Sequence, residues 1–162
     1  MSKPTATMKT TIHKDKYSHI THDTATNLIR IDWLPDTAEM SLEDFKHSLT
    51  ILVDATVAHS AESVLADLRD FHFKSAHEVE AWRMQNTVPK YNKVVKRYAW
   101  LVSAQTPQLP GDGKAHQNEG ETYHRRWFRD EAEALSWATS DVDDSWPNTA
   151  LEPTATAPSV CD

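Results

Sequence analysis

The segment Ser63–Leu68 most restricts the fold, because it has the composition of a buried strand and lies between two helical stretches. The stretch from Ser41 carries apolar residues three and four positions apart, which predicts an amphipathic helix with one face against a sheet. Ser75 begins the second stretch, and Glu78 follows three residues later in the pattern of a capping box. A strand between two helices predicts βαβ connections and parallel strands.

Patterns along the rest of the chain predict the order β-β-α-β-α-β-β-α. We therefore expect a single small α/β domain over residues 17–140, with a central mixed, mostly parallel sheet of about five strands and helices mainly on one face. Residues 1–16 are polar, and we expect a flexible N-terminal tail. Residues 141–162 are rich in Pro, Thr and Ala without periodicity, which predicts a disordered C-terminal tail.

Composition excludes several classes of protein. The net charge of −7 argues against a nucleic-acid partner, which would require a basic face. The single cysteine, Cys161, cannot form an intramolecular disulfide or a cysteine-based zinc site. The first residues contain no apolar signal-peptide core, and no apolar run approaches the ~18 residues of a membrane span. We expect a cytoplasmic protein without a transmembrane segment.

The candidate binding site lies where the strand Ser63–Leu68 ends, because three charged residues separate this strand from the next predicted helix. Ligands of open α/β sheets bind at the carboxyl ends of strands and near helix N-termini. The helix would then present the site to a protein partner or to a small apolar or anionic ligand. The site residues that we expect are Asp67, Arg69, Asp70, Lys74, Ser75 and Trp82.

Each of these residues also has a structural interpretation. Asp67 can hold the neighbouring loop while Arg69 pairs locally. Ser75 can act only as a helix N-cap, a role that contributes about 1 kcal/mol to stability. Trp82 can pack between the sheet and the helices.

A second candidate surface is a local excess of basic side chains on an otherwise acidic chain. Arg97, Arg125 and Arg126 lie on the last two predicted strands among aromatic residues. Such a basic patch can bind a phosphate, an acidic partner or a lipid headgroup. The alternative is that the charges protect an edge strand from aggregation.

Motifs for catalysis or metal binding are lacking in the sequence. The histidines do not have the spacing of metal ligands, and His72 and His77 lie five residues apart across a loop. No nucleophile elbow or phosphate-binding glycine pattern is present. We therefore expect no catalytic residue, no metal and no cofactor.

Three motifs together resemble one bacterial family. They are Asp67-Leu68-Arg69 at a strand end, Lys96-Arg97-Tyr98-Ala99 at the start of the next strand, and the segment Trp127–Trp137. Over roughly residues 17–139 the chain resembles the STAS-like, sporulation anti-anti-sigma-like domains, which are often grouped with CRAL-TRIO-type lipid-binding domains. The resemblance implies a small α/β domain with a phosphorylatable serine at or next to Ser75. Phe73–His77 departs from the family pattern of an acidic residue, serines and a glycine at this switch.

These observations predict a non-catalytic, STAS-like binding or regulatory module that acts through protein or small-ligand contacts at the Asp67–Ser75 edge. The alternative is a carrier of a lipid or another apolar small molecule, held between helix and sheet beside Trp82 and Trp100. The sequence leaves open the identity of the partner, the role of the loop 104–121 and whether the protein forms a homodimer.

Overall fold

The computed structural model describes residues 9–140 of the chain. Within this range, six strands form a single sheet. The strands are β1 (Lys9–Lys14), β2 (Ser18–Asp23), β3 (Leu28–Trp33), β4 (Ser63–Asp67), β5 (Arg97–Leu101) and β6 (His124–Phe128). The helices are α1 (Leu42–Ala58), α2 (Glu80–Asn86), α3 (Val88–Tyr91) and α4 (Glu131–Ala138). Short 3₁₀ turns span Pro35–Glu39, Ala76–Val79 and Pro110–Gly113.

The six strands lie side by side in the order in which they occur in the chain. β1, β2 and β3 pair antiparallel, whereas β3, β4, β5 and β6 pair parallel. The expected α/β domain with a mixed, mostly parallel sheet is therefore confirmed. The sheet has one strand more than expected, because Lys9–Lys14, which we had expected to be part of a flexible tail, pairs with β2. The tail expected at 141–162 lies outside the described residues.

Helices cover the two faces of the sheet unequally. Right-handed crossovers between successive parallel strands place their helices on one side, and α1, α2 and α3 lie on this side, which we call the cavity face. α4 follows the last strand and packs on the other side, which we call the α4 face. No helix within residues 9–140 has the length and apolar character that a membrane span requires.

Strand β4 shows how neighbouring residues reach opposite faces. Val64 and Ala66 belong to the core of the cavity face, and Leu65 belongs to the core beneath α4. Because side chains alternate along a strand, Asp67 points to the α4 face, the side opposite to Ala66. All five residues of β4 are buried, as expected for the interior of a parallel sheet.

The start of α1 follows from local hydrogen bonds. Ser41 Oγ accepts a hydrogen bond from the Asp44 backbone N–H at 3.0 Å, and the Asp44 carboxylate accepts one from the Ser41 N–H at 3.2 Å. This reciprocal pair is the capping box that the sequence predicts.

The sequence predicts a helix from Ser75 that Pro89 ends or kinks, and the structure differs from this prediction at the start of the segment. Ser75 precedes the 3₁₀ turn Ala76–Val79, and its side chain makes no capping hydrogen bond. Two short helices, α2 and α3, then follow with a break at Thr87. The break has a physical cause, because Pro89 has no backbone N–H and fits only in the first turn of a new helix.

Residues 102–123 connect β5 to β6 by a loop with one 3₁₀ turn, in place of a crossover helix. The loop runs along the outer edge of β6, where His116 and Arg125 form an antiparallel bridge. Gly111 has a φ of +66°, and a Cβ at this position would lie 2.4 Å from His116 Nδ1. Because no helix follows β5, Trp100 and Trp127 on the cavity face are only half-buried.

Candidate functional site

A cavity of about 240 Å³ lies on the cavity face, near the carboxyl ends of β4, β5 and β6. α1 contributes one wall through Phe45, Leu49 and Leu52, and the segment between β4 and α2 contributes another. Most of the lining side chains are apolar or aromatic. The carboxyl ends of parallel strands are where open α/β sheets usually hold their ligands.

Three stacked aromatic rings form the floor of this cavity. Tyr98 and Trp100 of β5 lie with ring centroids 4.5 Å apart and planes 13° apart. Trp127 of β6 continues the stack, with its centroid 5.2 Å from that of Trp100 and an interplanar angle of 14°. The stack follows from the parallel register, because Trp100 is paired directly with Trp127. It presents a flat apolar surface to the cavity.

Buried tyrosines lie beside the deep end of the cavity. Tyr91 lines the cavity and contacts Tyr98 edge-on at a centroid distance of 5.2 Å, while Tyr123 lies 6.0 Å from Tyr91. Burial and the charge of a neighbouring phenol raise the pKa of Tyr91 well above its usual value. Burial likewise raises the pKa of Tyr98 and of Tyr123. All three phenols are therefore neutral at physiological pH.

One buried ion pair supports the floor. Arg125 Nε donates a hydrogen bond to Glu121 Oε1 at 3.1 Å, and Arg125 Nη2 donates a second one to Glu121 Oε2. The Arg125 guanidinium also lies 5.2 Å from the centroid of the Trp100 ring. Burial opposes ionisation of Glu121, but hydrogen bonds from Arg125 and from the Asn118 N–H outweigh it and lower the pKa of this carboxyl. The two charges satisfy each other within the protein.

A second arginine lies at the rim. Arg83 lines the cavity with a side chain that is only 13% exposed. Its Nη1 donates hydrogen bonds to Glu80 Oε1 at 3.0 Å and Oε2 at 3.1 Å. The Glu80 side chain is 63% exposed, so the cation is more buried than its counter-ion.

The charges predicted at the end of β4 form an ion-pair network on the α4 face. Asp67 Oδ2 accepts hydrogen bonds from Arg69 Nη2 at 2.6 Å and from Arg30 Nη2 at 3.1 Å. Glu131 of α4 accepts hydrogen bonds from Arg30 at 2.8 Å and from Arg69 at 3.1 Å. Arg69 is thus shared between two carboxylates. This arrangement agrees with the structural interpretation, in which Arg69 pairs with neighbouring side chains.

The pKa values within this network follow from the same contacts. Burial raises the pKa of Asp67, but hydrogen bonds from Arg69 and the charge of Arg30 outweigh burial and hold it below its usual value. The hydrogen bond from Arg30 also lowers the pKa of Glu131. Asp32 differs, because burial raises its pKa despite its ion pair with Arg30. Asp67 and Glu131 are therefore ionised at neutral pH.

The remaining residues of the predicted site lie outside both the network and the cavity lining. Asp70 and Lys74 are exposed, and Ser75 is half-buried at the start of the 3₁₀ turn. Trp82 is half-buried against the core of the cavity face, and Lys46 Nζ lies 5.8 Å from its ring centroid. The structure therefore brings Asp67 and Arg69 together and separates them from the other four residues.

The three arginines of the predicted basic patch do not share one surface. Arg125 is buried on the cavity face. Arg97 is buried on the α4 face, where it donates a hydrogen bond to the Trp137 carbonyl at 2.8 Å. Arg126 donates a hydrogen bond to the Gly113 carbonyl at 2.7 Å and lies over the ring of Phe128. Alternation along β6 explains the split, since Arg125 and Arg126 are adjacent in sequence.

The cavity involves residues that sequence reasoning missed. Glu121 lies at the end of a long loop, and Arg83 lies in a short helix with a weak apolar face. One signal was present, because Tyr123, Arg125 and Trp127 occupy every second position of a strand and therefore share a face. Of the predicted segment after β4, the apolar residues Leu68, Phe71 and Ala76 line the cavity.

Within residues 9–140, no three or more His, Cys, Asp or Glu side chains come together in a way that could hold a metal ion. No protein-family model, curated protein or solved structure matches the chain. The argument for function therefore depends on the geometry of the site.

Proposed function

We propose that this protein is a non-catalytic binding domain that holds a small, flat, apolar molecule in the cavity on the cavity face. The observation that carries this proposal is the stack of Tyr98, Trp100 and Trp127 beneath an apolar cavity of about 240 Å³. Concave sites lined by aromatic side chains with a few polar groups are typical of small-molecule sites.

The size of the cavity supports a ligand with about two fused rings. An apolar cavity of about 150 Å³ holds benzene. On that scale, a cavity of about 240 Å³ accommodates roughly ten non-hydrogen atoms, which is the size of a naphthalene ring system. A long acyl chain would extend beyond this volume, so a compact aromatic molecule fits the carrier hypothesis better than a lipid does.

The protonation states beside the cavity support binding without catalysis. Tyr91 and Tyr98 stay neutral because burial raises the pKa of each phenol. Glu121 is bound by Arg125, which lowers the pKa of its carboxyl, so this carboxylate is not available as a general base at the floor. General acid–base catalysis needs a group that titrates near the working pH and can reach the substrate.

The edge Asp67–Ser75 has a place in this proposal as one wall of the site. Its apolar residues Leu68 and Phe71 line the cavity, while Asp70 and Lys74 remain exposed beside it. A protein partner at these exposed charges would detect whether the cavity is filled. STAS-like membership, a regulatory role and a cytoplasmic location stay predictions from the sequence, and the α/β architecture agrees only with the fold class that they imply.

Isothermal titration calorimetry with 2-naphthol tests the proposal on the full chain. We expect saturable binding at a single site. Ala76→Phe should abolish binding, because Ala76 lies on the cavity wall and a phenyl ring there fills the space. Ala81→Phe is the matched control, since Ala81 is exposed on α2 and does not line the cavity.

Two results would contradict the proposal. One is the absence of any binding of 2-naphthol by the wild-type chain. The other is equal binding by both variants, with thermal unfolding showing that both are folded, because the ligand would then lie elsewhere.

A further inference from the structure

We infer that the natural ligand is an aromatic carboxylate whose anionic group is bound by Arg83 at the rim of the cavity. This inference rests on the proposed function and adds the chemical class of the ligand. It combines the flat apolar floor with the charge and the hydrogen-bonding character of the lining.

Most polar side chains that line the cavity can act only as hydrogen-bond donors. Among the lining side chains of the described range 9–140, Glu80 alone can act solely as an acceptor. Side chains that can act only as donors are more numerous, and they are Trp33, Arg83, Trp100, Arg125 and Trp127. A ligand that supplies acceptor oxygens complements this lining.

Arg83 is the donor that is able to accept a new partner. Its side chain is 13% exposed, and within residues 9–140 its hydrogen bonds to carboxylate oxygens come from Nη1 and go to Glu80. The Glu80 side chain is 63% exposed, so water can solvate its carboxylate once a ligand has taken its place on Arg83. A ligand carboxylate can therefore replace Glu80, and guanidinium groups bind carboxylates in a bidentate geometry.

Arg125 does not compete for this role. It is bound in bidentate fashion by Glu121, whose side chain is 2% exposed. Breaking that pair would leave a buried charge without its counter-ion, which is costly.

The indole groups of the floor also favour a ligand that carries a hydrogen-bond acceptor. The Nε1–H groups of Trp100 and Trp127 are buried and have no hydrogen-bond acceptor within residues 9–140. A small shift of either ring would allow a ligand oxygen to accept from it. A cationic ligand is disfavoured, because Arg125 already lies over the Trp100 ring and Arg83 is close by at the rim.

Calorimetry with a pair of matched probes tests the inference. Naphthalene-2-carboxylate and naphthalene-2-carboxamide have nearly the same shape, and only the first carries a charge. We expect the carboxylate to bind at least ~10-fold more tightly, as a charge-assisted hydrogen bond implies. Arg83→Met should remove this preference and leave binding of the amide almost unchanged. Arg129→Met is the control, since Arg129 is exposed, does not line the cavity and donates hydrogen bonds to the loop carbonyls of Thr106 and Pro107.

A second variant keeps the test decisive if Arg83→Met destabilises the domain. Glu80→Gln removes the carboxylate that competes for Arg83, so binding of naphthalene-2-carboxylate should strengthen while binding of the amide does not. Equal affinities for the two probes, with Ala76→Phe still blocking both, would overturn the inference and leave the proposed function standing. Failure of both probes and of 2-naphthol to bind would instead reject the proposed function.

Discussion

Trp100 and Trp127 occupy paired positions on β5 and β6, and their indole rings stack with centroids 5.2 Å apart and planes 14° apart. Both residues are half-buried, because the loop 102–123 leaves this end of the sheet without a covering helix. Here they form the floor of a cavity, and this placement gives them a binding role in our proposal.

Replacing Trp127 should separate the binding role of this stack from its structural role. Trp127→Leu removes one ring of the floor, and we expect a loss of about 1–3 kcal/mol in the free energy of unfolding, together with loss of 2-naphthol binding. Trp137→Leu is the control, because Trp137 packs beneath α4 on the opposite face. It should lower stability in urea denaturation but keep the ligand affinity. A Trp127→Leu protein that binds normally would argue against the floor as the ligand site.

Removing one partner of the buried ion pair should be costly. Glu121→Gln takes the charge from a side chain that is 2% exposed and leaves Arg125 buried without a counter-ion. We expect the free energy of unfolding to fall by about 3–5 kcal/mol, measured by urea denaturation. The exposed neighbour Glu119→Gln should change it by less than ~0.5 kcal/mol. Similar stability for the two variants would mean that the pair contributes nothing.

The ion-pair network on the α4 face should respond unequally to the loss of its two arginines. Arg30→Met removes a side chain that is 11% exposed and leaves Asp32, Asp67 and Glu131 without their shared cation, so we expect a loss of about 3 kcal/mol. Arg69 is 42% exposed, and Arg69→Met should cost at most ~1 kcal/mol. Chemical denaturation measures the free energy of unfolding of both variants. A larger loss for Arg69→Met than for Arg30→Met would contradict this prediction.

Neither arginine variant should alter binding of naphthalene-2-carboxylate, because the network lies on the side of the sheet opposite to the cavity. If Arg69→Met weakens binding, the predicted edge at Asp67–Ser75 is the ligand site after all.

Acid should destabilise the fold through carboxyl groups whose pKa is lowered by folding. Asp67, Glu121 and Glu131 all have a folded-state pKa below the ordinary values of 3.8 and 4.5. A lowered pKa contributes stability that is fully present above the unfolded-state value and is lost as the pH falls through the folded-state value. Asp32 acts in the opposite direction, because burial raises its pKa.

We therefore expect the melting temperature to be nearly constant above about pH 5 and to fall steadily below about pH 4. Differential scanning calorimetry across this range measures the effect. The fall in melting temperature should be shallower for Glu121→Gln, because this variant has one fewer carboxyl group whose pKa is lowered by folding. An equally steep decline in this variant would assign the acid sensitivity to other carboxyl groups.

The order of the elements could be predicted from the sequence because each depends on residues close in the chain. The capping box of Ser41 and Asp44 connects residues three apart, and the break before α3 follows from Pro89. The strand that the sequence analysis missed depends on contacts outside its own residues. The six residues of β1 lack a strong apolar pattern, and their place in the sheet depends on pairing with β2, which a local pattern does not show.

The site predicted from the sequence borders the cavity, but most of its residues do not line it. The carboxyl end of β4 does border the cavity, as the general rule for α/β sheets predicts. Its charged residues were the visible signal in the sequence, yet Asp67 and Arg69 lie on the α4 face. The residues that line the cavity are apolar neighbours such as Leu68 and Phe71, which resemble ordinary core residues in a sequence.

By itself, the sequence determined the α/β class, the positions of most strands and the start of α1, because local periodicity and local hydrogen bonds specify them. Tertiary structure alone decided which side chains meet. Arg30 contacts Asp67 across 37 positions and Glu131 across 101 positions. Such contacts depend on strand register and on the face that each residue occupies. A shift of one residue would exchange the two faces and remove both the network and the cavity.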